Sequence, residues 1–600
     1  MLLATSMQTA QAAQQTQALP SLIVTADRVA NDAAQVSADT TVITQQQIAQ
    51  SQKTSVADLL REQVGVHVAA SGGPGKATSV FIRGGNSGHT LVLIDGVRVG
   101  SATLGSFDWG NLSTADIERI EIVRGPQSSL YGADAMGGVI QIFTRKGKPG
   151  SQVSAHVEAG SYSTVSASST VSGGTEAGVD YAVTVNTLRT DSVSAAAKGT
   201  ETDPYRQTTA SGRVSLPVGE GEIEILARNV DGKTGLDGGF PLGDVLNYTS
   251  NTKQSVMSAR VSYPFTDYLD STLQLSRSLD EVIGHDPAGG FNNSDFRTRI
   301  NQITWQNHLD LDAVSMLFGV DVHQDKGNSG SAGFARSLTQ KAGFSSLAWH
   351  ADWFDLNGSV RYDSNSVSNN KTTYKTGLAV HPLDGLKITA NYGTGFKAPS
   401  LNQLYFPGFG NPNLKPEQSK GWDAGLHYSQ LEEQLSFGFD ATWFDQRYTN
   451  LIVNSTSTAF LSAPANLAKA RTNGLEISAN MAYGPAYMRG NWTFLRAINS
   501  ADNTLLPRRA RDKGSIVGGI TVMGLTIEVE MDIVGPRFSS PFNRKPMQGY
   551  KKTDIRANYA INKQWKLTAR VDNAGNKVYE EVSGYGVLGR AWYGGVSATF

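Results

Sequence analysis

The residues of this chain that could do chemistry do not gather into a catalytic set. There is no cysteine among 600 residues, which removes thiol nucleophiles, disulfide scaffolds and thiolate zinc sites together. No Gly-x-Ser-x-Gly elbow, His-Glu-x-x-His helix or phosphate loop before a Lys-Ser/Thr pair occurs, and the aspartates are scattered. An enzyme is not expected. His89 stands beside the apolar run Leu91-Val92-Leu93-Ile94 and reads as a structural histidine. What remains is backbone chemistry. Leu22-Ile23-Val24-Thr25-Ala26 is a β-prone run whose N–H and C=O groups can pair with an exposed strand edge of a partner.

Charge narrows the partners. With 52 basic and 53 acidic side chains the net charge is -1, which argues against nucleic acid, whose binding rests on phosphate neutralisation, and against a polybasic membrane-surface protein. No apolar run reaches the roughly 18 residues of a membrane-spanning helix. A transmembrane β-barrel alternates lipid-facing and lumen-facing residues and has the mean hydropathy of a polar protein.

The elements that position these residues differ along the chain. Residues 1–12 end in Ala10-Gln11-Ala12, a small-x-small pattern like a truncated export signal. Residues 13–39 form a flexible lead that carries the run Leu22–Ala26. Residues 40–148 read as a mixed α/β domain, with a strand at Thr41-Val42-Ile43-Thr44 and a capping-box-like helix start at Ser55-Val56-Ala57-Asp58. Short β runs follow at Val80–Arg83, Leu91–Gly96, Ile120–Arg124 and Gly138–Phe143, enough to bury a modest core of their own.

Residues 149–600 change to repeated period-two strands. Val314, Met316, Phe318, Val320 and Val322 alternate with Ser315, Leu317, Gly319 and Asp321; Leu435 to Trp443 and Trp565 to Val571 behave alike. A soluble sandwich shows the same alternation, but about 450 residues of strands without a helical interval are best absorbed by a closed barrel, which leaves no edge. The chain closes on Trp592, Gly594, Val596, Ala598 and Phe600 on one face, like the last strand of bacterial outer-membrane barrels.

Phe81-Ile82-Arg83-Gly84, Leu93-Ile94-Asp95-Gly96-Val97, Ile117 to Pro126 and Leu130 to Ile140 resemble the plug of TonB-dependent outer-membrane transporters. Tyr392 to Pro399 and Asn411 to Glu417 resemble barrel segments of the same family. The resemblance implies a 22-stranded antiparallel transmembrane barrel with an N-terminal mixed α/β plug in its lumen, acting as a monomer in the lipid bilayer of a Gram-negative outer membrane. It also makes Leu22, Ile23, Val24, Thr25 and Ala26 the Ton box, the partner segment for TonB of the TonB-ExbB-ExbD complex.

Within the family the likeness is to its cobalamin (vitamin B12) transporters, through Ser79 to Arg98, Leu401 to Tyr405, Ala468 to Arg471 and Leu506 to Ala510. That likeness implies a corrinoid cargo, touched by Ala77, Ser79, Asn86, Leu104 and Gly105 of the plug and Arg508 of the barrel. Small and amide side chains suit a large, flat, mostly neutral ligand. It also implies calcium in two external loops, with Asp191, Asp203, Asp237 and Asp244 as the matching carboxylates and Tyr205 where a further acid is expected. An ordinary solvated acidic loop stands beside that reading. Haem and ferric siderophores remain rival cargoes, although Ser400 to Gly410 holds no histidine for an axial ligand. A passive porin or adhesin barrel, the alternative of another class, has no use for a plug or a Ton box.

Overall fold

The computed structural model of the chain describes residues 23–24, 28–29, 31–32, 34–238, 243–289, 292–432, 434–456, 462–541 and 543–600. The expected export signal, and Leu22, Thr25 and Ala26 of the expected Ton box, lie outside them.

Alternation dictates the outer wall. On the strand Val314–Ser329, Phe318, Val320 and Val322 are 38%, 46% and 36% exposed and point outward, whereas Leu317 and Asp321, of the opposite parity, are buried. Such a sheet buries its apolar face only against lipid, so it has to close. Twenty-two antiparallel strands, from Gly150–Gly160 to Ala591–Thr599, form one closed barrel. The last strand pairs with the first from Ser154↔Thr599 to Gly160↔Tyr593. Val153 and Phe600 exchange both backbone hydrogen bonds at 2.8 Å. The chain enters and leaves the barrel at one end, where turns such as 219–220, 352–353 and 484–485 are tight. Long connections, among them 191–204, 236–248, 398–416, 500–511 and 573–590, crown the other end.

The plug fills the lumen. Its main sheet runs Thr40–Thr44, Ile117–Arg124, Gly138–Thr144, Thr90–Ile94, Val97–Val99, antiparallel except for the parallel pair Thr90–Ile94 with Gly138–Thr144. A separate hairpin, Val66–Ala70 with Thr78–Ile82, rises toward the long loops. Thr44 and Gln47 form a capping box on a helix, Gln45–Ser51, which the hydrophobic pattern had not announced. At the second helix, Val56–Arg61, the expected box is absent: Ser55 accepts from the Ala57 N–H at 3.2 Å, and Asp58 turns instead to Arg61 at 3.1 Å. Leu59, Leu60, Val80, Ile82, Ile120 and Ile140 are buried, but their cluster is completed by Leu226 and Val256 of the barrel wall. The plug therefore does not close its core alone.

One charged cluster seats it. Arg83, fully buried, has Nε 3.0 Å from Glu476 Oε2, Nη1 3.0 Å from Asp423 Oδ2, and a further bond to Asp39. Arg124 binds Asp39 at 3.2 Å and the Val64 carbonyl at 2.9 Å. Burial opposes a charge on Asp39, and the Arg124 and Arg83 guanidiniums outweigh it and hold its carboxyl below the ordinary range. Glu476 and Asp423 belong to the barrel strands Ser462–Tyr483 and Glu417–Leu431. Arg83→Met is expected to leave these two carboxylates unpaired, at a cost of about 3–5 kcal/mol. Limited proteolysis should then nick the plug at least tenfold faster while the barrel keeps its heat-resistant electrophoretic mobility.

Candidate functional site

Two arms of the plug reach the crown. The first is the hairpin tip 71–77, where the Ser71 N–H donates to the Ala77 carbonyl at 3.0 Å. Ala77 is exposed and Ser79 half-buried on its returning strand. Gly75 takes φ +77, and a Cβ there would fall 2.1 Å from the Tyr205 ring, so this tip lies flat on that side chain. Tyr205, 2% exposed, donates its hydroxyl to Asn111 Oδ1 at 3.0 Å. It therefore serves as a plug support and supplies no metal-binding carboxylate.

The second arm joins the turn 84–89 to the loop 100–106. A Cβ on Gly88 would lie 2.3 Å from the Gly105 carbonyl, so turn and loop touch. Leu104, at 62% exposure, is the loop's free tip. Lys397 Nζ donates to the Gly105 carbonyl at 2.7 Å and pairs with Asp134 at 3.0 Å; the Leu401 N–H donates to the Ala102 carbonyl at 2.9 Å. Asn86 is exposed, and its Oδ1 accepts from Arg509 Nη2 at 2.7 Å. Buried Arg509 also donates to the Gly84 and Gly85 carbonyls and lies 4.2 Å over the Phe81 ring. Arg508, expected from the resemblance to face the cargo, is half-buried and lines a small cavity with His67, Arg537 and Tyr550. The structure thus sets Ala77 and Ser79 on one arm, Asn86, Leu104 and Gly105 on the other, and Arg508 beside the first. Arg509 went unnoticed because the two arginines are adjacent and only their direction separates them.

The acidic loops sit on the first arm. Lys76, with no exposure, donates to the Asp203 carbonyl at 2.7 Å and ties loop 191–204 to the hairpin tip; burial brings its ammonium down to about 8 against the pull of Asp203 and Asp237. Carboxylate oxygens of Glu201, Asp237 and Asp244 lie within 4.8 Å of one another. Asp203 touches the same group, its carboxyl pushed up to about 6 by burial and by Asp237. Asp191 stands apart, its amide bonded to the Tyr162 carbonyl. Asp237 already accepts from the Ala196 and Val245 N–H groups at 2.6 and 2.9 Å, whereas Glu201 Oε1 is buried and has no partner. The donor set is all oxygen, as calcium requires, and it offers one unpartnered carboxylate oxygen rather than a complete cage. Glu201 is the acid that sequence reasoning missed.

At the opposite end the run expected to be the Ton box is described at Ile23 and Val24. Ile23 and Val24 pair with Asp32 and Asn31 in a two-residue ladder. Arg28 reaches into the barrel, Nη2 2.9 Å from Asp321 Oδ2, with its guanidinium 4.5 Å over the Phe344 ring and 5.1 Å over Tyr131. Asp321 is held as well by Arg361 at 2.6 Å, so removing Arg28 leaves no orphaned charge. Arg28→Ala should cost about 1.5–3 kcal/mol of anchoring and raise the released population tenfold or more. In this cysteine-free chain an Ile23→Cys nitroxide checks it: the spectrum should narrow in the double variant and stay broad with Arg28 present.

Residues 160–574 match the family described as TonB dependent receptor-like, beta-barrel, and residues 32–139 match the TonB-dependent Receptor Plug Domain. The vitamin B12 transporter BtuB of Photobacterium profundum is 31% identical over 582 residues, covering 95% of this chain and 94% of that one. BtuB of Vibrio vulnificus is 29% identical over 611 residues, covering 98% and 97%. Among solved structures, a point mutant of the ferric enterobactin receptor PfeA of Pseudomonas aeruginosa, in complex with enterobactin, superposes with a TM-score of 0.80 at 18% identity, covering 94% of this chain and 100% of that one. The siderophore receptor PiuA of Acinetobacter baumannii gives 0.79 at 16%, covering 95% and 98%. At those identities the structures speak for the fold alone.

Proposed function

We infer the function of this chain from one premise: it belongs to the TonB-dependent receptor family, whose barrels lie in the outer membrane of Gram-negative bacteria. Its cargo is cobalamin or a related corrinoid, imported actively across that membrane. The observation that carries this reading is near-full-length similarity to two proteins named as vitamin B12 transporters. The crown is compatible with it: its exposed plug positions are an alanine, an amide and a leucine, which read shape and hydrogen bonds rather than charge.

Binding and release make opposite demands. A nanomolar site is worth about 12 kcal/mol, and such affinity resides mostly in slow dissociation. Force supplied through Leu22–Ala26 by TonB of the TonB-ExbB-ExbD complex resolves the conflict. That run pairs with a TonB strand by backbone hydrogen bonds, and the pull reaches Arg28 and then Asp39, which shares Arg83 with the barrel. Deleting Leu22–Ala26 is expected to abolish uptake of labelled cyanocobalamin and leave equilibrium binding within twofold. Uptake that persists would favour passive passage; absence of binding in the intact protein, with ferric siderophore bound instead, would move the cargo class.

Calcium orders the first arm in this reading. Glu201, Asp237 and Asp244 hold it, Asp203 lends charge, and Lys76 relays the ordering to the hairpin that carries Ala77 and Ser79. Because the Asp203 carboxyl titrates near 6, protons compete as the pH falls through that value, so calcium affinity is full above it and lost below. Isothermal titration with calcium from pH 7.5 to 5 should show at least a tenfold loss. Glu201→Gln should weaken binding about tenfold at pH 7.5, and Asp191→Asn should leave it unchanged.

A further inference from the structure

Two cavities separate the plug strands Thr90–Ile94 and Val97–Val99 from the barrel strands between Thr249–Thr266 and Phe334–Ala351. The upper chamber, of about 60 Å³, lies under loop 100–106 and is walled by Gly88, Gly105, Ser106, Asp325, Gln340 and Lys397 among others. The lower one, of about 240 Å³, lies toward the tight-turn end. Leu91 and Arg98 are the residues common to both walls. One long charged side chain therefore stands between the crown and the lower lumen.

Arg98 is closed onto the plug. Its Nη1 donates to the Ala133 carbonyl at 3.1 Å and to Asp134 Oδ2 at 2.9 Å, and its Nη2 to the Tyr131 carbonyl at 3.0 Å. Asp134 is held in turn by Lys397, which also donates to the Gly105 carbonyl of the crown loop. A displacement of loop 100–106 thus reaches the guanidinium through two shared partners, Lys397 and Asp134. The upper chamber offers that guanidinium a second seat. Thr90 Oγ1, Asp325 Oδ1 and Gln340 Oε1 belong to side chains that line it, and all three atoms are buried without a hydrogen-bond partner. His323 Nε2, 4.0 Å from Asp325 Oδ1, is beyond hydrogen-bond reach. Buried acceptors and a fork of five N–H donors satisfy one another.

The lower chamber has the lining of a passage. Gln141, Gln274, Gln302, Gln306, Thr272 and Thr304 face it, uncharged groups that can exchange hydrogen bonds with a neutral, amide-bearing solute. Its other arginines are paired within the protein: Arg28 and Arg361 meet at Asp321, and Arg260 lies 3.3 Å from Glu224. The cavity on the opposite side of the plug, beside Val56–Arg61, is strung instead with ion pairs, Arg61 with Glu581, Lys552 with Asp554 and Arg570 with Asp572. Opening that side would separate buried charges, which is the costlier course.

We propose that the cargo crosses the lumen along the face of Thr90–Val99, through these two chambers, and that Arg98 is the gate between them, closed on Asp134 and open on Asp325. The cargo is the one inferred above, so the route rests on that reading, whereas the gate does not. A corrinoid needs the plug strand to move as well; a small sugar needs only the guanidinium out of the way.

Swelling of liposomes that hold the purified full chain, without TonB, tests the gate with arabinose as the solute. Arg98→Ala should swell at least tenfold faster than the parent, and Arg61→Ala, on the opposite side of the plug, should stay at the parental rate. Should Arg98→Ala fail to fold, two further variants decide by uptake of labelled cyanocobalamin in cells. Asp325→Asn should lower uptake about tenfold, and so should Gln302→Cys carrying a bulky maleimide, each with equilibrium binding within twofold of the parent; the same label at Leu188→Cys, in the opposite cavity, should change neither. A sealed Arg98→Ala, or an equal leak through Arg61→Ala, would overturn the gate. Uptake untouched by the label at Gln302 would overturn the route. Absence of cyanocobalamin binding in the parent would strike the cargo reading instead, and the swelling result, which needs no cargo, would still decide the gate.

Discussion

A guanidinium inside a protein is costly unless its N–H groups and its charge are met, and Arg83, held by three carboxylates, places that condition at the centre of this molecule. Its partners are drawn from the plug's first segment, Asp39, and from two separate barrel strands, Asp423 and Glu476. The pairing turns a loose insert into a seated one, because displacing the plug strands charges on both sides of the seam. Asp39 is also shared with Arg124, which holds the Val64 carbonyl at the root of the rising hairpin. Position at the crown and charge at the seam are thus one arrangement. The same charges that fix the plug make it removable, since water can replace a carboxylate around arginine far better than it can replace an apolar neighbour.

The two arms at the crown divide their dependence differently. Loop 100–106 is pinned to the barrel loop 398–416 by Lys397 and by backbone bonds to Leu401 and Asn402, whose N–H groups reach the Ala102 and Thr103 carbonyls. Hairpin tip 71–77 is pinned through Lys76 and the ring of Tyr205 to the acidic loop. One arm rests on contacts complete within the protein; the other rests on a loop whose own carboxylates repel. Order in the first arm therefore depends on the charge of those carboxylates in a way that the second does not.

Much of this was legible in the sequence because period-two alternation and the plug segments are local. The wall's inside-out polarity, the closing strand and the buried state of His89, which meets Glu417 at 3.1 Å and stacks on Tyr448 at 5.2 Å, were anticipated from neighbouring residues. What escaped is what depends on partners far apart in the chain. Arg83 lay in a quoted motif, but nothing in the sequence pointed to Glu476 or Asp423. Arg28 followed the coupling run in plain sight, without a sign that Asp321 awaited it. Glu201 was hidden by the attention given to aspartates, and the helix at Gln45 by weighing apolar period over the Thr-x-x-Gln pattern that caps it.

The first barrel strand begins at Gly150, at the end where the turns are tight and where the last strand also finishes. The plug is therefore covalently attached to its enclosure at one rim only, through residues 145–149. Withdrawal toward the tight-turn side and return need no unknotting and no breakage of the wall's hydrogen bonds, whereas ejection toward the long loops would drag the tether through the whole bore. The connectivity thus makes the two directions of plug displacement unequal before any other interaction is counted.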